Sequence, residues 1–169
     1  MSIDSKQNPP NWKRVAFTAA IAGAMSIAAT IATAGECPAD KKVADGQGQK
    51  PSTATAKDVT DVVRATTDLS KEPAAVNGRL LRLRQLDMKP GAIVPWHSHA
   101  NRPAMIYIVS GEVVEYASNC VVPITHKAGD VASEKKGTAH WWQNTGNTAV
   151  VLISVDLFPV ENMKDQHMM

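Results

Sequence analysis

Once residues 1–34 are set aside, the chain has no net charge. Lys6, Lys13, Arg14 and Asp4 leave with that segment, and 15 basic residues then face 15 acidic ones. No basic run with interleaved aromatics is left, so nucleic acid is not an expected partner. The remaining chain shows no helical period longer than two turns, which argues against a helix bundle, and no internal repeat. Cysteine is scarce as well. Cys37 and Cys120 are the only two, so the chain can close at most one internal disulfide.

What is present begins with an export signature. Lys13 and Arg14 precede Val15 to Gly35, a charge-free run rich in Ala, Ile, Met and Thr that ends in Ala32-Thr33-Ala34. A basic start, an apolar middle and small residues at positions A-x-A predict a signal peptide over 1–34, cut after Ala34. An uncleaved anchor is the rival, since about twenty apolar residues can span a bilayer. The small residues of the run and the A-x-A at its end favour cleavage. The expected product is periplasmic or secreted, with no stable membrane anchor. Glu36 directly before Cys37 argues against a lipoprotein, and Lys-Arg is not a twin-arginine pair.

Pro38 to Lys57 (PADKKVADGQGQKPSTATAK) has no apolar period, so 35–57 is expected to be a flexible leader. Export would place Cys37 and Cys120 where disulfides persist, and a bridge between them is expected. From residue 58 to 160 the pattern changes to short strands divided by turns: Val59 to Leu69, Gly78 to Met88, Ala104 to Val109, Glu112 to Ala117, Val121 to Thr125, Val131 to Ser133, Thr138 to Asn144 and Ala149 to Leu157. Lys89-Pro90-Gly91 reads as a breaker. Many short strands at close spacing predict an all-β sandwich or barrel. Residues 161–169 form a tail in which His167-Met168-Met169 has soft-metal donors, though a frayed terminus is the plainer reading.

Two blocks carry the chemistry. Gly91 to Gly111 reads GAIVPWHSHANRPAMIYIVSG, with His97 and His99 two apart. On a strand, such side chains share a face, and imidazole suits transition metals. Gly129 to Asn144 reads GDVASEKKGTAHWWQN and adds His140. Together the blocks resemble the paired motifs of the cupin superfamily. Gly91, His97, His99 and Gly111 match the first motif, and Gly129, Gly137, His140 and Asn144 the second. Two positions depart from it. The glutamate of the first motif is Ala104, and the proline of the second is Lys135.

The resemblance implies an all-β, cupin-type double-stranded β-helix (jelly-roll) barrel. It also implies that the strands of His97, His99 and His140 are neighbours, giving a three-histidine site for a divalent transition metal (Fe, Zn, Mn, Ni or Cu). Ala104 would leave a coordination position open and keep the ion's full charge, making it a stronger Lewis acid. Glu115 is a candidate substitute ligand or acid. If Ser110-Gly111 is a two-residue hairpin loop, Glu115 faces the metal; a three-residue loop turns it to solvent and Val114 and Tyr116 inward.

Period two places Trp142 and Asn144 on the face of His140, the first as pocket wall or core and both as candidate pocket or outer-shell residues. Trp96 and Ser98 take the face opposite His97 and His99, while Ala104, Ile106 and Ile108 line the interior. Arg102 is either a clamp for a ligand carboxylate or a solvated loop residue, and His126 reads as a surface histidine. Two functions remain: a metal-dependent enzyme acting on a small molecule, or a non-catalytic protein holding a metal or small ligand. A homodimer is left open.

Overall fold

The structure, a computed structural model, describes residues 35–161; the expected signal peptide and the His167-Met168-Met169 tail lie outside that range. Within it are eight strands: β1 (Lys57–Asp68), β2 (Arg79–Ser98), β3 (Ala104–Ser110), β4 (Glu112–Ala117), β5 (Ile124–Lys127), β6 (Val131–Glu134), β7 (Ala139–Gln143) and β8 (Val150–Pro159). All pairings are antiparallel. The order is β5-β4-β7-β2-β8-β3-β6, with β1 added along β2. This is a nearly closed, barrel-like sheet of the double-stranded β-helix kind. No helix among the described residues is long and apolar enough to cross a membrane.

The length of β2 joins the two halves of the barrel. Residues 79–88 pair with β1 on one side and β8 on the other, and 93–98 pair with β7. Lys89-Pro90-Gly91, expected to be a breaker, is a bend inside one continuous strand. Gly91 takes φ +77°, a conformation that costs glycine little. Its amide donates to Asn144 O, and Asn144 N donates to Ala92 O. The Asn144 side-chain amide also meets the carbonyls of Met88, Lys89 and Thr148, and its Oδ1 accepts from Gly146 N. Asn144 is therefore a brace for the bend and the 144–148 turn, and it lies away from the histidine site where the sequence placed it.

Strand alternation builds the interior in layers. Met88 lies opposite Val150, Leu86 opposite Leu152, Arg84 opposite Ser154 and Arg82 opposite Asp156. On the other side of β8, Ile108 faces Leu152, Ile106 faces Ser154 and Ala104 faces Asp156. One end of the barrel is thus an apolar core of Leu86, Met88, Ala92, Val94, Ile106, Ile108, Val113, Ala132, Trp142, Val150 and Leu152. Each large aliphatic side chain buried there contributes about 1.5–3 kcal/mol. The other end is polar but still buried: Arg82, Arg84, Arg102, Asp156, Glu115, Glu134, His99, His126 and His140 are each under one-tenth exposed. Burying that many ionisable groups is costly unless they are paired.

Two expectations change here. β3 and β4 are not hairpin partners. β3 pairs with β6 and β8, and β4 pairs with β5 and β7. The chain crosses between halves at Gly111, φ +82°, where an added Cβ would sit 2.7 Å from Ala149 O. The leader is also not free of the barrel. Cys37 is bonded to Cys120. Val43 N, Gly48 N and Gln49 N donate to Asn119 O, Ser118 O and Ala117 O, and Val121 N donates back to Lys41 O. Its composition offers no core of its own, but its backbone finds partners in the β4–β5 connection.

Candidate metal centre

His97 reaches the interior through an irregularity. Val94 and His97 are three residues apart, an odd step that would put them on opposite faces of a regular strand. β7 advances only from Trp142 to His140 over the same stretch. The extra residue forms a β-bulge at Pro95-Trp96, which re-aims the side chains beyond it. Proline has no N–H to give the ladder and is tolerated at such a point. His99 comes next on the same face, and His140 is the cross-strand partner of His97.

The three rings meet through Nε2, with each pair of these nitrogens 3.1 Å apart. Each ring's other nitrogen faces an acceptor. His97 Nδ1 is 2.9 Å from Pro95 O, His99 Nδ1 2.7 Å from Arg102 O, and His140 Nδ1 2.7 Å from Glu115 Oε1. Carbonyls and carboxylates only accept, so all three Nδ1 atoms carry hydrogen and donate. In neutral rings the Nε2 lone pairs then converge on one point. Such a cluster is able to hold a cation. The spacing allows one centre to lie at about 2.0–2.1 Å from all three nitrogens, the reach of a divalent ion to imidazole.

The electrostatics divide the trio. Burial, and then the charge of His140, push His97 well below the ordinary histidine value, and the same two causes lower His99 to about 3. His140 moves up: burial opposes its charge, and Glu134 and Glu115 overcome that opposition. Of the three rings, His140 is the one whose surroundings favour the charged form.

Behind His140 stands Glu115. Its Oε2 accepts from His126 Nε2 at 2.8 Å while Oε1 holds His140. Burial resists its ionisation, but these hydrogen bonds outweigh it and hold the carboxyl at about 2. β4 alternation buries Val113, Glu115 and Ala117, while Tyr116 turns outward to stack on Trp141 at 3.9 Å. Glu115 therefore faces inward, and the solvent-facing alternative is excluded. It lies on the Nδ1 side of His140, opposite the converging nitrogens, so it is not placed to fill the position left by Ala104.

His126, expected at the surface, is fully buried and stacked on Trp142 with centroids 4.7 Å apart. Its strand runs Ile124–Lys127, starting three residues later than expected, and Ile124 and His126 point inward. Arg102 is neither solvated nor free for a ligand. It bonds Asp156 Oδ2 at 3.2 Å. Arg82 makes a two-pronged pair with the same carboxylate at 3.0 and 2.7 Å, and Arg84 pairs with Asp61 at 2.5 Å.

Trp142 serves both as core and as cavity wall. Its indole N–H abuts the His140 ring, 3.2 Å from Nδ1. It lines a space of about 20 Å³ with Arg84, Leu86, Val94, His97, His99 and Ile106. That is room for about one water molecule.

Sequence reasoning passed over Glu134, Arg82, Arg84 and Asp156. Glu134 Oε1 is 3.4 Å from His140 Nδ1. Burial, with the like charge of Glu115, raises its carboxyl to about 7 despite His140. Glu115, Glu134 and His140 bring a second set of ligand-type atoms within 4.8 Å of one another, and a cation there would have to replace the Nδ1 hydrogen of His140. A larger cavity of about 290 Å³ opens beside Glu115 and Glu134, walled on one side by Gly35 to Val43 of the leader. A signal was available: Arg82 and Arg84 have the parity of Leu86 and Met88, and Asp156 that of Leu152.

A family profile described as a cupin domain matches residues 84–156. The chain is 27% identical over 135 residues to auxin-binding protein ABP19b of Prunus persica, covering 68% of this chain and 65% of that protein. It is 30% identical over 82 residues to germin-like protein 8-14 of Oryza sativa subsp. japonica, covering 46% and 38% respectively. It thus spans just under two thirds of the length of the first of these relatives. Among solved structures, it is similar to an uncharacterized conserved protein with a double-stranded beta-helix domain from Klebsiella pneumoniae. There the identity is 22%, the TM-score 0.49, and the coverage 64% of this chain and 82% of the other.

Proposed function

From the premise that this chain belongs to the cupin superfamily, we propose that it is an exported protein holding one divalent transition ion on Nε2 of His97, His99 and His140, and acting through it on a small molecule. The observation that carries this reading is the set of three Nδ1 donors, which aims three lone pairs at a single point. Iron, zinc, manganese, nickel and copper all suit imidazole. Such an ion supplies a Lewis acid that polarises a carbonyl or lowers the pKa of a bound water.

The chain's own residues do the rest. Pro95 O, Arg102 O and Glu115 fix the ring orientations, as hydrogen-bonded outer partners do in metal sites. Leu86, Val94, Ile106 and Trp142 exclude bulk water. The joined Cys37 and Cys120 and the 1–34 signature support a periplasmic or secreted product. A second reading, a non-catalytic metal carrier, is favoured by the small space beside the nitrogens.

The test is elemental analysis of the exported protein. Wild type should carry close to one transition ion per chain, and His140→Ala should lose most of it while staying folded. Equal metal in the two, or none of the five metals in wild type, would refute the three-histidine site.

A further inference from the structure

We propose that cutting the chain after Ala34 makes a structural part: the new α-ammonium of Gly35 docks against His126 and Asp130 and steadies the Glu115–His140 pair from behind. The proposal rests on the cleavage of the 1–34 segment.

The observation behind it is an unpaired atom. His126 Nδ1 is buried and has no hydrogen-bond partner among the described residues. Its Nε2 faces Glu115 at 2.8 Å, and an ionised carboxylate only accepts, so Nε2 carries the hydrogen. In the neutral ring, Nδ1 is then a bare acceptor that lacks a donor. Buried polar atoms of this kind are rare in folded proteins and call for an explanation.

Gly35 packs directly on this atom. A Cβ built on Gly35 would lie 2.9 Å from His126 Nδ1 and 3.0 Å from Asp130 Cβ. The amino nitrogen of Gly35 is likewise one bond from the same Cα. In the intact chain that nitrogen is an amide, with a single hydrogen fixed by the peptide plane. Cleavage turns it into an ammonium with three hydrogens that rotate about N–Cα.

Asp130 supplies the counter-charge. It takes the Lys127 N–H on Oδ2 at 2.8 Å, and a carboxylate has room for further donors. Of the other charged groups lining the same cavity, Glu36 pairs with Lys42 at 3.2 Å, Glu115 is held by His126 and His140, and Glu134 lies 3.4 Å from His140. Lys135 and Lys136 carry the same sign as the new ammonium. Two residues beyond Gly35, the Cys37–Cys120 bond pins the segment to the barrel, so the new terminus has little freedom to leave. A side chain at this position would press on His126 and Asp130. The cut would leave in this place the residue that fits.

The consequence runs inward. An ammonium donating to Nδ1 holds the His126 hydrogen on Nε2, where Glu115 accepts it. Glu115 in turn holds the Nδ1 hydrogen of His140 at 2.7 Å, leaving Nε2 of His140 free for the ion.

The experiment separates cleavage from docking. Mass spectrometry of the exported protein reports whether it starts at Gly35; another start refutes the cleavage reading alone. Docking is then judged on a chain made to start at Gly35 by removing a tag that leaves no residue behind. Its α-amine is labelled with limiting acetic anhydride across about pH 6–9. Docking predicts that the amine titrates about one unit above the ordinary ~7.7–8.0 and labels several-fold more slowly. Asp130→Asn should return both to ordinary values. A chain one residue longer, starting at Ala34, should show an ordinary amine and bind Zn²⁺ several-fold more weakly in chelator competition. An amine that titrates as in an unstructured peptide, or labelling unchanged by Asp130→Asn, overturns the docking. Equal zinc affinity in the two chains overturns its link to His140.

Discussion

Glu115→Gln removes one charge at the point where two histidine rings meet, with almost no change of volume. The wild-type carboxylate accepts from His140 Nδ1 and His126 Nε2 at 2.7 and 2.8 Å. A glutamine has one acceptor oxygen and one NH₂, so one of the two rings must face a donor or shift its own hydrogen. The size of the effect derives from the carboxyl's displacement from 4.5 to about 2. At about 1.4 kcal/mol per unit, the ionised form is favoured in the fold by something on the order of 3 kcal/mol.

The folded value lies below the unfolded one. That stability is therefore complete above about pH 4.5 and is lost as pH falls from there toward 2. Thermal melts of the metal-free protein should place the variant roughly 10 °C below wild type at about pH 7, with the gap closing through that acid window. Because an outer partner orients each ligand, Zn²⁺ affinity in chelator competition should also fall by about 10–100-fold. A gap that does not change with pH, together with unchanged zinc affinity, would show that Glu115 supports neither the fold nor the site.

Asn144→Ala should destabilise the barrel by about 2–4 kcal/mol in urea, since it strips the bend at Lys89–Gly91 and the 144–148 turn of four contacts; zinc affinity per folded molecule should not change, and a loss there would return Asn144 to the site. Reducing Cys37–Cys120, which spans 83 residues, removes a constraint worth about 4–5 kcal/mol in the chain-entropy model. Hydrogen exchange should then speed up at Val43, Gly48 and Gln49 before the β2–β8 ladder, and equal protection before and after reduction would contradict this. Asp156→Asn removes the carboxylate charge that Arg82 and Arg102 bond and Arg84 approaches in a buried site, and should cost about 3–5 kcal/mol. A melting temperature within about 2 °C of wild type would rule that network out as a structural requirement.

Much of this protein was already legible in the linear chain. The alternation of β3 and β8 predicted strands, and the spacing of Gly91, His97, His99, Gly111, Gly129, Gly137, His140 and Asn144 resembles the cupin motifs closely enough to imply the barrel and three candidate ligands. These are local or fixed-interval properties, since a period of two assigns faces without knowledge of partners. Pairing decided the rest. Whether β4 folds back on β3 or crosses to β7 cannot be read from Ser110-Gly111, yet that choice turned Glu115 toward His140.

The bulge at Pro95-Trp96 exists only relative to β7, and it puts His97 on the same interior face as Val94. His126, Glu134 and Asp156 joined the polar end of the barrel because strand pairing carries them there, although they lie on three different strands. Likewise, the composition of the leader showed that it has no core of its own. The backbone partners at Ala117, Ser118 and Asn119 that hold it against the barrel belong to another strand and its turn, and only the folded chain brings them within reach.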